Sequence, residues 1–223
     1  MTEPGSEDLS RVREQFIAAQ LAGDRRKALE LITTVPASGR LTPSAVRTHV
    51  IRAAQAEIGR LWQTNAISIA QEHMATAISH LALAALFDRD RPKAPNGRIV
   101  IVACVEGELH EFPARLVADE LDVAGFDVRF LGASVPTDHL LTFIAREEPD
   151  LIVLSATLAL HADAVRAAVK RIREQTYNRI PIAVGGQICE WATALAAELD
   201  VAISGCDADA LVEDARSLLG VTR

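Results

Sequence analysis

Five short apolar runs alternate with stretches of helical period between Arg98 and the end of this 223-residue chain, and they restrict its fold more than any other feature. The runs are Ile99–Val105, Val128–Leu131, Leu151–Ser155, Ile180–Val184 and Val201–Ser204. Each is continuously apolar rather than alternating, which predicts strands buried on both faces, as parallel strands are. The stretches between and after them, about 113–124, 137–146, 162–175, 190–198 and 208–219, read as amphipathic helices. Five strand–helix units in about 125 residues predict a doubly wound, flavodoxin-like α/β domain with a five-stranded parallel sheet.

The N-terminal part has a different period. Val12, Phe16, Ile17 and Leu21, then Ala28, Leu29, Leu31 and Ile32, recur at three-to-four spacing. A third helix is expected after Leu41, with Thr42 as N-cap and Pro43 at the first helical position, running to about Trp62. The fourth starts at Ser68, where Gln71 completes a capping box, and extends to Phe87. Four helices with short joins predict an antiparallel bundle. The run DRDRPKAPNG, residues 88–97, reads as a linker, so the expected domains are 1–90 and 97–223.

With 30 acidic against 23 basic residues and a net charge of −7, the chain has the wrong sign to track a phosphate backbone, so direct nucleic-acid binding is not expected. Its start, MTEPGSEDLS, has neither the basic nor the apolar region of a signal peptide, and no apolar run reaches the ~18 residues that span a bilayer. Cys104, Cys189 and Cys206 are odd in number and form no Cys-x-x-Cys pair, which reads as buried thiols in a reducing compartment. A cytoplasmic protein without membrane attachment is the expectation.

Ligands of open parallel sheets bind beyond the carboxyl ends of the strands, at the switch point. The sequence places Glu106-Gly107-Glu108-Leu109-His110 after the first strand, Ser155-Ala156-Thr157 at the third, Gly185-Gly186 at the fourth and Gly205 at the fifth. Neither G-x-G-x-x-G nor a P-loop follows the first strand, which argues against a dinucleotide or P-loop enzyme. A response-regulator module would need an acidic cluster there, and Glu106 and Glu108 do not form a convincing one. Each residue also has a structural reading: His110 as a solvated loop residue, Ser155 and Thr157 as turn formers, Gly185-Gly186 as a positive-φ turn.

Taken together, Glu108-x-His110, Ser155-x-Thr157 and Gly185-Gly186 resemble the signature of cobalamin-binding domains of the methionine-synthase type, Asp-x-His-x-x-Gly, Ser-x-Leu/Thr and Gly-Gly. The resemblance implies His110 as the lower cobalt ligand, the only protein metal ligand expected, with Glu108 as its hydrogen-bond partner. Ser155, Thr157, Gly185, Gly186 and Gly205 would border the nucleotide tail of the cofactor. A neutral imidazole suits a transition metal, and a carboxylate on its other nitrogen fixes the tautomer. Glu108 stands where the family has Asp, and Pro113 where it has Gly.

The helical part carries a second pattern. Trp62, nine residues, then Glu72-His73 is similar to the Trp-x9-Glu-His cap of light-responsive adenosylcobalamin regulators of the CarH/LitR type. That resemblance implies a cap on the upper corrin face, with Trp62, Glu72 and His73 against the adenosyl group. Read without it, Trp62 is a core aromatic, Glu72 a first-turn carboxylate and His73 a satisfied core histidine. No counterpart of the family's DNA-binding domain is expected, because the bundle should begin within ten residues of Met1. The histidine that follows the cap Trp in the family is Gln63 here.

The expectation is therefore a stand-alone cobalamin sensor, an adenosylcobalamin photoreceptor related to transcription regulators that signals through a protein partner or its own oligomer. No second catalytic constellation is visible. The enzymatic alternative is a corrinoid carrier subunit of a methyltransferase system.

Overall fold

The computed structural model describes residues 4–37, 41–87, 92–205 and 208–221. The chain divides into two compact units, Met1–Arg91 and Pro92–Arg223. Cys206 and the first four residues of the connecting run, 88–91, lie outside the described residues.

The first unit is helical: α1 (Pro4–Leu21), α2 (Arg25–Ala37), α3 (Pro43–Val46), a π-helical turn (Arg47–Arg52), α4 (Ala53–Gln63) and α5 (Ile69–Phe87). The π turn joins α3 to α4, so residues 43–63 form the expected third helix with an unforeseen insertion. Thr42 Oγ1 accepts the Ala45 N–H at 3.1 Å, with Pro43 in the first turn. The capping box at α5 is reciprocal: Ser68 Oγ accepts the Gln71 N–H at 3.3 Å, and Gln71 Oε1 accepts the Ser68 N–H at 3.0 Å. Between α4 and α5, Asn65 adopts φ 56°. Its N–H donates to the Trp62 carbonyl and that of Ala66 to the Leu61 carbonyl, a Schellman closure that stops α4 just after Trp62. Phe16, Ile32, Ile51, Ile58, Leu83 and Leu86 are fully buried, each contributing on the order of 2 kcal/mol of transfer free energy.

The second unit alternates β1 (Ile99–Cys104), α6 (Phe112–Val123), β2 (Asp127–Phe130), α7 (Thr137–Glu147), β3 (Leu151–Ser155), a 3-10 turn (Ala159–His161), α8 (Ala162–Thr176), β4 (Ile182–Gly185), α9 (Ile188–Trp191), α10 (Thr193–Leu199), β5 (Ile203–Gly205) and α11 (Ala208–Leu218). The five strands are parallel in the order β2-β1-β3-β4-β5. Successive strand residues face opposite ways, so Ile101, Ala103, Ile152 and Leu154 pack with α7 and α8, whereas Val100, Val102, Cys104 and Val153 pack with α6 and α11.

Strand and helix bounds differ from expectation by one or two residues, with one substantive correction. The helix expected at 190–198 is two helices, because Ala192 leaves the helical region at φ −119°, ψ 63°. Trp191 ends the first of them and is 60% exposed.

Candidate cofactor site

Strand order reverses at β1, which puts the loops after β1 and β3 at the switch point. The β1 loop turns on Gly107, at φ +87°, whose N–H donates to Ser134 Oγ. Ser134 N–H donates in turn to the Glu108 carbonyl at 2.8 Å. These contacts hold the Glu108 side chain inside the protein, 0% exposed.

A buried carboxylate persists only if it is fully hydrogen-bonded. Glu108 Oε2 accepts the Thr157 N–H at 2.6 Å, and Oε1 accepts the His110 N–H at 2.7 Å and lies 2.6 Å from His110 Nδ1. Burial alone would push this carboxyl up; the hydrogen bonds from His110 and Thr157 outweigh it and bring the pKa down to about 2. An ionised carboxylate only accepts, so the proton it shares with the ring sits on Nδ1 and the lone pair on Nε2. The His110 ring is about half exposed.

His161, which sequence reasoning passed over, also reaches this group. Its Nε2 lies 3.8 Å from Glu108 Oε2, and the ring packs beneath Gly107. The only signal in the sequence was a histidine a few residues past β3, and nothing local ties it to Glu108.

Cys104, Ser155, Gly185 and Gly205 are register partners and form one row across four strands near their carboxyl ends. A Cβ on Gly205 would meet nothing within 4 Å, and one on Gly185 would make only ordinary contacts. Gly186 differs: at φ +96°, a Cβ there would lie 2.2 Å from the Ala156 carbonyl oxygen. Gly186 is thus required by close backbone approach, the structural reading, rather than by room for a ligand. Burial pushes the Cys104 thiol up to about 12, aided by the Glu108 and Glu111 carboxylates, so it is not a thiolate ligand.

On the helical unit, Trp62 lies in the last turn of α4 and is 39% exposed, while Glu72 lies in the first turn of α5 and His73 directly after it. Glu72 Oε2 is 2.6 Å from His73 Nδ1, and the His73 ring is largely exposed. Neither Trp62 nor His73 is the core residue that the structural reading makes of it.

A family model described as "B12 binding domain" matches residues 98–214, just over half of the chain, and a second model of the same description matches residues 12–87. The chain belongs to the B12-binding domain family. This B12-binding protein is 27% identical over 176 residues to the HTH-type transcriptional repressor CarH of Myxococcus xanthus, covering 78% of this chain and 57% of the repressor. It therefore spans little more than half of that relative. It is 24% identical over 165 residues to the dimethylamine corrinoid protein of Methanosarcina barkeri, covering 72% of this chain and 77% of that protein. In fold it matches the structure of the Methanosarcina barkeri monomethylamine corrinoid protein, with a TM-score of 0.76, 19% identity and coverage of 96% and 99% of the two chains.

The residues fit the family's cofactor. Thr157 Oγ1 is buried beside Glu108 with no hydrogen-bond partner among the described residues, a polar atom that a ligand would satisfy. At the end of the glycine strip, Gly205 has open space beside it. Among the described residues there is no cluster of three or more His, Cys, Asp or Glu side chains that could hold a metal ion. No helix among the described residues is long and apolar enough to cross a membrane.

Proposed function

We propose that this protein is an adenosylcobalamin-dependent sensor, with His110 as the lower ligand and the helical unit as its adenosyl-recognising cap. The cofactor, when bound, supplies a cobalt–carbon bond that visible light breaks. His110 presents Nε2, and Glu108 holds its tautomer. Thr157 would offer its buried hydroxyl, and the nucleotide tail would pass along the row of Ser155, Gly185 and Gly205, where Gly205 has open space beside it. Trp62 supplies an apolar plane, and Glu72 and His73 supply a polar edge.

The observation that carries this reading is the exposure of Trp62 and His73. A helical unit that only had to fold would bury its single tryptophan. Loss of the adenosyl contacts would shift a conformational or assembly equilibrium by the differential binding energy they supplied, and the output would run through a protein partner or a second copy. The corrinoid proteins among the relatives support a second reading, a methyl-carrying subunit of a methyltransferase system.

Mixing the protein with adenosyl- and methylcobalamin in the dark, recording visible spectra, then illuminating and measuring size by exclusion chromatography separates the two. The sensor reading expects tight retention of adenosylcobalamin and a light-dependent change of size. Retention of both cobalamins with no light response favours the carrier, and retention of neither sinks both.

A further inference from the structure

Glu72 is the end of a chain of side-chain hydrogen bonds that crosses the helical unit. Gln20 on α1, fully buried, donates through Nε2 to the Ala75 carbonyl at 2.9 Å and to Ser79 Oγ at 2.8 Å. Ser79 Oγ donates to Gln55 Oε1 at 2.9 Å, Gln55 Nε2 donates to Thr76 Oγ1, and Thr76 Oγ1 donates to Glu72 Oε1 at 2.7 Å. The other carboxylate oxygen lies on His73 Nδ1.

Both ends of this chain are groups that only accept, and this fixes its direction. The Ala75 carbonyl obliges Gln20 to present its NH2, which leaves the Ser79 hydrogen to point at Gln55. The Glu72 carboxylate obliges Thr76 to donate, which obliges Gln55 to turn its NH2 to Thr76 and its oxygen to Ser79. Neither Gln55 nor Gln20 can flip without breaking a bond. Apart from the Gln20 bond to the Ala75 carbonyl, every donor thus points toward Glu72, and aligned bonds polarise one another. Stability does not account for the chain: apolar side chains of the same shape would be nearly neutral, and Gln20 Oε1 is buried with no partner among the described residues.

We propose that Gln20, Ser79, Gln55 and Thr76 are positioning residues that hold the Glu72 carboxylate in one orientation and, through it, hold His73 with Nδ1 protonated and Nε2 turned to the ligand. The proposal rests on the reading of Glu72 and His73 as adenosyl-side residues, and it adds the buried residues that set their geometry.

The test uses the full chain and its Gln55→Leu, Thr76→Val and Thr76→Ser variants. The first readout needs no cofactor: the 15N shifts of the His73 ring, recorded where imidazole is neutral, report which nitrogen carries the proton. The second is the ratio of dissociation constants for adenosyl- and methylcobalamin in the dark. The unaltered chain and Thr76→Ser should show the Nδ1–H form and the same ratio. Gln55→Leu and Thr76→Val should show a mixture of tautomers and lose about tenfold of the adenosyl preference, with methylcobalamin affinity held. Gln55 is half-buried, so its variant keeps the test decisive if Thr76→Val does not fold. Unaltered ring shifts and ratio in Gln55→Leu overturn the relay. A lack of adenosyl preference in the unaltered chain instead overturns the reading of the pair as ligand residues, whatever the ring shifts show.

Discussion

His110 Nδ1 and Glu108 Oε1 stand 2.6 Å apart, and the same distance separates His73 Nδ1 from Glu72 Oε2 in the other unit. Each histidine is thereby held with Nε2 as the nitrogen that carries the lone pair. The supports differ. Two backbone N–H groups, those of His110 and Thr157, fix Glu108, so its geometry is set by the strands themselves. Glu72 is fixed by the hydroxyl of Thr76 and the side chains behind it. The pair on the sheet is rigid, and the pair on α5 is tunable by substitution.

Glu108→Gln should destabilise the protein by about 2–3 kcal/mol, because an amide has one accepting oxygen for two N–H groups and turns its NH2 at the other. Urea unfolding followed by far-UV circular dichroism measures it. A change below about 0.5 kcal/mol would mean that water enters and satisfies the loop.

The same group gives a pH dependence with a definite sign. The folded Glu108 carboxyl titrates near 2 against an ordinary value of 4.5, so between these values the unfolded chain binds the extra proton and stability rises with pH. The contribution is complete above about 4.5 and is lost as pH falls toward 2. Urea midpoints of the cofactor-free protein across this window should fall more steeply for the unaltered chain than for Glu108→Gln; parallel slopes would place the titration elsewhere.

What was legible in the sequence was local or periodic. The Thr42–Pro43 start, the Ser68–Gln71 box and the β3 bounds depend on residues within a few positions, and each appears as read. The Glu108–His110 contact spans two residues and was foreseen; the Glu108–Thr157 bond spans 49 and exists only once β1 and β3 pair. His161 and the Gln20–Ser79–Gln55 chain were missed for the same reason: their partners come from different helices or loops, and a lone Gln or His in a helical pattern carries no mark of them. The break at Ala192 has no Gly or Pro to announce it.

Two of the glycines expected at the nucleotide tail, Gly186 and Gly205, should separate folding from binding. Gly186→Ala forces a Cβ into the Ala156 carbonyl at positive φ and should cost more than about 2 kcal/mol. Gly205→Ala meets nothing within 4 Å and should leave stability within about 0.5 kcal/mol while weakening cobalamin retention. Equal retention by Gly205→Ala and the unaltered chain would show that the tail does not pass there.

His110→Ala takes the Nδ1–H away from the buried Glu108 carboxylate, so the cofactor-free protein should lose about 1–3 kcal/mol, read as a lower urea midpoint. The bound cobalamin spectrum should move from the histidine-ligated to the water-ligated form. A spectrum that does not move would assign the lower ligand to another group.

Trp62→Ala tests the cap. The side chain is 39% exposed and its backbone carbonyl, not its ring, closes the Asn65 turn, so the substitution should leave helicity unchanged and lower stability by about 1–3 kcal/mol for the covered part of the ring. Its ring should matter only where an adenosyl group lies against it, because stacking on an aromatic plane rewards a flat base and not a methyl group. Burying one face of such a base is worth about 1–3 kcal/mol, so adenosylcobalamin affinity should fall by about tenfold or more while methylcobalamin affinity is unchanged. Competition between the two cobalamins in the dark, read by visible absorption, measures this directly. If Trp62→Ala binds both with the same ratio as the unaltered chain, the tryptophan does not recognise the adenosyl group, and the carrier reading becomes the better account of the fold.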